Sequence, residues 1–455
     1  MWGRKKEKKD QRHLYIVDGG DPEPLQRQKH RRHSSLKKSS HTLMNGPNFC
    51  MARAARLLYL STLCYLEPNA RGLIEQKYDQ LCHGQVEFVW GKRGLDLKEV
   101  KEFYSKDGEQ TIRCLCFLLK KKKLQVSDYS EFAICDQKEN EQDGVSTGSN
   151  DDPNGVDQGI SECKTHHILI AFRGTDTPKN VFEDIKLWTA AHPPERGSLL
   201  RRTRPTVHAG FLRSWRNDHL KENVINFVIQ HVKEMDEWPT VEMTGHSLGG
   251  SVATLASYDI AAALSDLSHS SAQSNLESVS SKPTFDFPFP KSNLSLYTFG
   301  CPRVGNTPFA ESINELVPDT WNVIQNNDII PAVPAKRLTS PFHPFKRAGR
   351  IAIIRDDGKL VINPSRGARR RRNLMVLKLD TSLLAHHTKH YRNSLLHVFE
   401  REGLLEVKEG DTPQRNAKSL ASLRLEAESL KLLGKTITEA RSDPKRSFRL
   451  LPGAT

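Results

Sequence analysis

One stretch limits what this chain can fold into. Val241-Glu242-Met243-Thr244-Gly245-His246-Ser247-Leu248-Gly249-Gly250 joins a short β-prone run, ending at Thr244, to small and apolar residues from Ala253 to Ala263. The second part has the composition of a buried helix. Between the two stands Gly-x-Ser-x-Gly. In a strand–turn–helix setting this makes a turn so tight that only glycine leaves room two positions either side of the serine. The hydroxyl is raised above the sheet edge, and the N-terminus of the next helix favours negative charge. The backbone N–H of Leu248 is then one donor to a tetrahedral oxyanion. The pattern alone decides nothing. Gly144-Val145-Ser146-Thr147-Gly148 fits it too, but lies within Asp136 to Gly159, among Asp, Glu, Asn, Gln, Gly and Ser, with no strand before it and no apolar helix after it. That copy reads as a disordered loop. An ordinary glycine turn is the bland alternative for Ser247.

A nucleophilic serine needs a base, and an acid to orient the base. On an open α/β sheet such groups collect beyond the carboxyl ends of parallel strands. Asp328 meets that rule, since the β-prone run Thr320 to Gln325 leads to it and Pro331 follows. A turn aspartate before proline is the bland reading. For the base, His386, His387, His390 and His397 all lie downstream, and composition does not separate them. His386 and His390 have the i, i+4 spacing of a zinc pair, but no His-Glu-x-x-His is present, and no metal or other cofactor is expected. Thr175, after Gly174 at the end of an apolar run, suits a second oxyanion donor; a plain turn threonine is its alternative.

Residues 1–48 are polar and basic and are expected to be disordered. The folded part is expected to begin with a helix over Met51 to Tyr65, with a further helix over Leu95 to Ser105. Thr111–Leu119, Tyr129–Cys135, His167–Phe172, Leu294–Phe299, Thr320–Gln325 and Leu374–Leu379 read as strands. Arg350–Ile353 and Leu360–Ile362 read as a hairpin around Asp357-Gly358. Val181–Trp188 resumes a helical spacing, and Phe211–Lys233 reads as one long amphipathic helix. The run Arg369–Arg372 is expected to be exposed. Strands alternating with helices predict an α/β fold with a mostly parallel sheet. The organisation expected is a basic segment 1–48, one domain over 49–407 with flexible inserts at 136–164 and 265–293, and a tail 408–455 with one amphipathic helix. That helix carries Leu420, Leu423, Ala427 and Leu430 on one face, to pack on the domain or lie on a membrane.

The net charge is +14, and residues 1–40 hold twelve Lys or Arg against five Asp or Glu. Such a balance points to nucleic acid or an anionic membrane surface. No nucleic-acid-binding motif accompanies it, so the membrane surface is preferred. No run has the length of a transmembrane helix, and the N-terminus has no apolar leader. The eight cysteines are scattered, without a Cys-x-x-Cys pair, and read as reduced thiols. Together these predict an intracellular protein, cytoplasmic or peripheral to a membrane.

Five ordered segments then resemble those of the class 3, fungal-type lipases: Ala171-Phe172-Arg173-Gly174-Thr175, Val207-His208-Ala209-Gly210-Phe211, Thr244-Gly245-His246-Ser247-Leu248-Gly249-Gly250, Phe299-Gly300-Cys301-Pro302-Arg303-Val304-Gly305-Asn306 and Asn327-Asp328-Ile329-Ile330-Pro331. The resemblance covers about residues 50–400. It implies an α/β-hydrolase fold, with Ser247 as nucleophile, Asp328 as triad acid, and Thr175 and Leu248 as oxyanion hole. The family's histidine stands five residues before a tyrosine, which here points to His386, five before Tyr391. A lid is implied within Asp176 to Arg204, around Val181–Trp188. The function implied is hydrolysis of fatty acyl esters of glycerolipids (tri-, di- or monoacylglycerol) with peripheral contact to an anionic membrane or lipid-droplet surface. A phospholipase or galactolipase on the same site, or a non-catalytic membrane-binding protein, are the alternatives.

Overall fold

A computed structural model describes residues 48–68, 90–91, 94–107, 110–121, 166–174, 189–192, 204–274, 287–334, 344–376, 383–401, 427–431 and 448–450. Thr175, the Val181–Trp188 spacing, Tyr129–Cys135, insert 136–164 and nearly all of the basic segment 1–48 lie outside these residues.

Helix α1 (Met51–Leu63) opens the fold, its first turn capped by the Cys50 thiol accepting from the Arg53 N–H. Then follow β1 (Leu66–Pro68), β2 (Leu95–Asp107), β3 (Gln110–Lys121), β4 (His166–Phe172), β5 (Thr189–Ala191), β6 (Thr206–His208), α2 (Ala209–Arg216) and α3 (Leu220–Lys233). Strand β7 (Thr240–His246) and helix α4 (Leu248–Ser274) flank Ser247, and β8 (Leu294–Phe299), β9 (Gly305–Asn306), α5 (Thr307–Leu316) and β10 (Asp319–Gln325) come next. The remainder is β11 (Phe345–Lys346), β12 (Arg350–Ile354), β13 (Leu360–Ile362), α6 (Arg366–Met375), α7 (Thr388–Arg401) and β14 (Phe448–Leu450).

Eight strands form the main sheet in the order β13-β12-β10-β8-β7-β4-β3-β2. The five from β12 to β4 are parallel; β3, β2 and β13 join antiparallel at the two edges. This is the expected α/β architecture, a mostly parallel sheet flanked by helices. A strand covered on both faces sends alternate apolar side chains to each. In β4, Leu169 and Ala171 face the core beneath α1 and α7, while Ile168, Ile170 and Phe172 face the core beneath α2, α3 and α4. That double burial explains why the stretch reads as a continuous apolar run.

The structure departs from the sequence reading at several places. Leu95–Ser105 lies in strand β2, paired along its length with β3. The amphipathic stretch Phe211–Lys233 is two helices, broken at Asp218 and His219, whose φ angles are 51° and 57°. Helix α4 runs to Ser274, ten residues into the expected insert 265–293. Leu374 and Met375 end a helix rather than begin a strand. Of the arginine run, Arg372 is buried, its guanidinium held by backbone carbonyls. In the C-terminal region residues 427–431 are helical, with Ala427 and Leu430 buried in the α1 core. The described part of that helix therefore packs on the domain.

One buried ionic cluster fixes α1 on the sheet. Arg53 reaches Glu242 of β7 at 2.8 Å and Asp319 of β10 at 2.6 Å, and Arg56 reaches Glu242 at 3.5 Å. Burial alone would raise the Glu242 carboxyl, but Arg56 and Arg53 hold it below the ordinary 4.5. A carboxyl depressed in the folded state stabilises above its unfolded pKa, and the contribution is lost as pH falls through the folded value. Removing Arg53 takes its cation from Asp319 and leaves Glu242 with Arg56 at 3.5 Å, a loss that approaches the cost of about 3–5 kcal/mol for breaking a buried pair. We expect Arg53→Met to lower thermal stability by about that amount at neutral pH, and the difference from wild type to shrink below pH 4.5. Equal melting of the two proteins at neutral pH would show that α1 is held by its apolar face alone.

Candidate active site

The site is built where β4, β7, β8 and β10 deliver their carboxyl ends. At the end of β7 the chain turns at Ser247, whose φ of 58° is left-handed for a residue with a side chain. Its N–H donates to the Phe299 carbonyl at 2.9 Å, and its carbonyl accepts from the Gly250 N–H at 3.0 Å. A Cβ on Gly245 would lie 2.3 Å from the Gly249 carbonyl, and one on Gly249 would lie 2.3 Å from the Phe172 carbonyl. The turn can close only because both positions lack side chains. Leu248 is the first residue of α4. Its N–H is among the first four of the helix, which have no intrahelical acceptor.

His386 and Gly174 approach the serine from elsewhere in the chain, and Asp328 and Tyr391 stand behind His386. His386 stands in the turn before α7, with Nε2 2.8 Å from Ser247 Oγ and Nδ1 2.8 Å from Asp328 Oδ2. A carboxylate only accepts, so the proton of that second bond sits on Nδ1 and leaves Nε2 to accept from the serine hydroxyl. Asp328 follows β10 and is fully buried. Its Oδ2 also accepts from the Tyr391 hydroxyl at 2.5 Å, and its Oδ1 from the Ile330 N–H at 2.8 Å. Burial pushes the Tyr391 hydroxyl well above its usual pKa, with Asp328 adding to it, so the phenol remains a donor. Gly174 closes the last side: a Cβ there would lie 3.0 Å from that of Ser247.

Among the expected bases, the structure brings only His386 to Ser247. His397 is exposed on α7 and contacts the Asp356 carbonyl, and His390 is half-buried on the same helix.

The sequence reading assigned no role to several residues that shape this site. His246 Nε2–H donates to the His386 carbonyl at 2.7 Å, and its Nδ1 accepts from the Tyr65 hydroxyl at 2.8 Å. Burial, with the neighbouring His386, pushes the His246 pKa well below 6.5 and keeps it neutral. Gly300 has φ of +62°, and a Cβ there would lie 2.9 Å from His386 Cε1 and 3.0 Å from Asp328 Oδ2. The guanidinium of Arg372 donates to the carbonyls of Gln325, Asn326 and Asp328. Gly300 and His246 stand inside quoted motifs, so motif membership was their available signal. Tyr65 and Arg372 carry none, being brought in by tertiary contact.

Residues 169–338 match the family model described as Lipase (class 3). The chain is 33% identical to a lipase of Rhizopus niveus over 186 residues, which cover 40% of this chain and 38% of the relative. It is 29% identical over 182 residues to the chloroplastic phospholipase A(1) DAD1 of Arabidopsis thaliana, covering 38% and 35%. It is 28% identical over 163 residues to secreted mono- and diacylglycerol lipase 2 of Gibberella zeae, covering 33% and 32%. The similarity thus spans well under half the length of these relatives. One of them is secreted and another chloroplastic by name, so the expected intracellular, cytoplasmic location is not supported. No described helix is long and apolar enough to cross a membrane.

The packing at Gly300 gives a direct test of the geometry. Gly300→Ala puts a methyl against both His386 and Asp328 in a backbone conformation that alanine resists. A displacement of about 1 Å among reacting groups costs on the order of a hundredfold in rate. Any ester hydrolysis at this site is expected to fall by that order through kcat, with KM little changed. Wild-type kcat in the variant would mean that the His386–Asp328 contact has slack.

Proposed function

We propose that this chain, whose residues 169–338 match the class 3 lipase model, is a member of that family and hydrolyses fatty acyl esters of glycerolipids through a serine acyl-enzyme. The observation that carries this reading is the unbroken hydrogen-bond line Ser247–His386–Asp328 at the carboxyl end of the parallel sheet. In this reading Ser247 Oγ attacks the ester carbonyl as His386 Nε2 takes its proton. Asp328 holds the ring in the required tautomer and stabilises the imidazolium. The Leu248 N–H, at the head of α4, and Thr175 supply the oxyanion donors. His386 then protonates the departing alcohol, and a water activated by the same ring releases the fatty acid. Every proton moved is carried by His386, and the scheme uses no cofactor.

Ser247 and His386 are each 2% exposed, so an acyl chain must displace what covers them. That supports a substrate met at a lipid surface. The domain carrying this activity is proposed to span 49–407, between the basic segment 1–48 and the C-terminal region 408–455. Tri-, di- and monoacylglycerols present the same ester as phospholipids and galactolipids. One relative is by name a mono- and diacylglycerol lipase and another a phospholipase A(1), which keeps both head-group classes in view. A non-catalytic lipid-binding role is disfavoured by the intact hydrogen-bond line.

Ser247→Ala is expected to remove hydrolysis of short-chain p-nitrophenyl esters and of emulsified acylglycerols by a factor on the order of a thousand or more, with the fold intact. Ser146→Ala should change nothing. His386→Ala should be inactive, while His387→Ala, His390→Ala and His397→Ala keep activity. Full turnover by Ser247→Ala would sink the enzymatic reading. Loss at His387 or His397 in place of His386 would sink only the assignment of the base.

A further inference from the structure

Helix α6 carries a pattern that neither folding nor the proposed chemistry uses. Its ten residues, Arg-Gly-Ala-Arg-Arg-Arg-Arg-Asn-Leu-Met, hold five arginines and no acidic residue. Arg372 alone turns inward, to the carbonyls around Asp328. Arg366, Arg370 and Arg371 are exposed, and Arg369 is half-buried. This is poor design for helix stability. Arg366 sits in the first turn, where the helix dipole disfavours a cation, and the arginines repel one another. A solvated face ordinarily mixes both signs of charge.

The C-terminal end of the same helix exposes large apolar groups. Leu374 is 60% exposed, Met375 81%, and Leu384, two residues before His386, 59%. Their neighbours show that they share one place. Val376, next to Met375, and Leu383, next to Leu384, pack with Ile329 and Ile330 just after Asp328. An apolar tip thus stands at the rim of the site, tied from beneath to the loop that carries Asp328. At 1.5 Å per residue, the exposed Arg370 and Arg371 lie within about 8 Å of that tip along the helix axis.

We propose that the outer face of α6, with Leu374, Met375 and Leu384, is a docking surface for lipid that carries anionic head groups, and that it sets the site against its substrate. This rests on the hydrolase reading above. The arginines pair with phosphate or carboxylate oxygens, for which the guanidinium fork is suited. The three apolar side chains enter the acyl boundary, where their present exposure is relieved. The occupant is identified by complementarity: a cationic ridge joined to an apolar tip matches a charged surface laid over hydrocarbon. An RNA strand has no use for the tip.

The test uses the full-length chain carrying Ser247→Ala, so that vesicles are not consumed, with and without a second set of changes in α6. Because residues 1–40 are basic as well, every comparison is between chains that differ only in α6. Sedimentation with phosphatidylcholine vesicles, with and without phosphatidylserine, measures binding. Arg366→Gln/Arg370→Gln/Arg371→Gln should lose binding to anionic vesicles by about tenfold to a hundredfold, at about 1 kcal/mol or less for each cation. Lysine at the same three positions should retain most of it. Leu374→Ser/Met375→Ser should weaken binding to both kinds of vesicle. In the Ser247 background the triple glutamine variant should hydrolyse a soluble short-chain ester at the wild-type rate. Unchanged binding by the triple glutamine variant overturns the proposal. So does α6-dependent binding to RNA without binding to vesicles. Vesicle binding through α6 by a chain that hydrolyses no ester would leave the docking surface standing and bring down the hydrolase reading instead.

Discussion

The close approach of three backbone segments governs everything around Ser247. The end of β4, the end of β7 and the start of α4 touch at Gly249, which meets the Phe172 carbonyl, and at Gly245, which meets Gly249. No side chain fits between them, so the serine's left-handed backbone is forced by its surroundings. Holding such a conformation costs of the order of 1–3 kcal/mol. The hydrogen bond from the Ser247 N–H to Phe299 and the burial of α4 offset that strain. One consequence is chemical. The serine oxygen, the first N–H groups of α4 and the end of β4 converge on one point, which a relaxed turn would spread apart.

The loop bearing Asp328 is held differently, by arginines bonded to backbone, Arg372 buried and Arg303 and Arg347 half-buried. Arg372 takes the carbonyls of Gln325, Asn326 and Asp328, Arg347 that of Pro331, and Arg303 those of Ala332 and Pro334. Burial, with Arg347 and Arg372 nearby, lowers the Arg303 guanidinium to about 9, and burial lowers Arg347 and Arg372 too. Asp328 pulls the other way on the last two. Carbonyl oxygens stand in for the water these groups have lost. Because the arginines donate to backbone carbonyls and to the amide oxygens of Asn322 and Asn373, the Asp328 oxygens remain for His386, Tyr391 and the Ile330 N–H. A carboxylate forked onto an arginine would have no such freedom to orient a histidine.

How much of this can be read from sequence follows from where each signal resides. Strands β8 and β10 are legible because both faces are buried, and the elbow because its glycines are adjacent in sequence. Strand β2 misleads for a definable reason. Leu95, Leu97 and Val100 all pack toward the α1 core, and the extra residue in that spacing is a bulge between Leu97 and Glu99. A bulge shifts the two-residue period by one and imitates a helical interval. The stretch Phe211–Lys233 keeps a helical period through Asp218 and His219, where the backbone turns left-handed. Arg372 reads as exposed because its partners are carbonyls, which every residue has and no composition reveals. Tyr65 reaches the site only through the docking of α1.

His246 shows what the geometry demands beyond the three residues that a motif supplies. Asp328 orients the His386 ring, but a ring is no better placed than its backbone. That backbone is fixed through the His386 carbonyl by His246, which is fixed in turn by Tyr65. The arrangement works in one protonation state. His246 must donate from Nε2 and accept at Nδ1, and a protonated ring could not accept from the Tyr65 hydroxyl. A cation there, with ring centres 4.7 Å apart, would also oppose the positive charge that the proposed mechanism puts on His386. Burial prevents it by holding the His246 pKa well down. The two histidines, at hydrogen-bond contact through one carbonyl, thus have opposite requirements. In the proposed mechanism one gains a proton during turnover, and the other must stay neutral for that gain to be favourable.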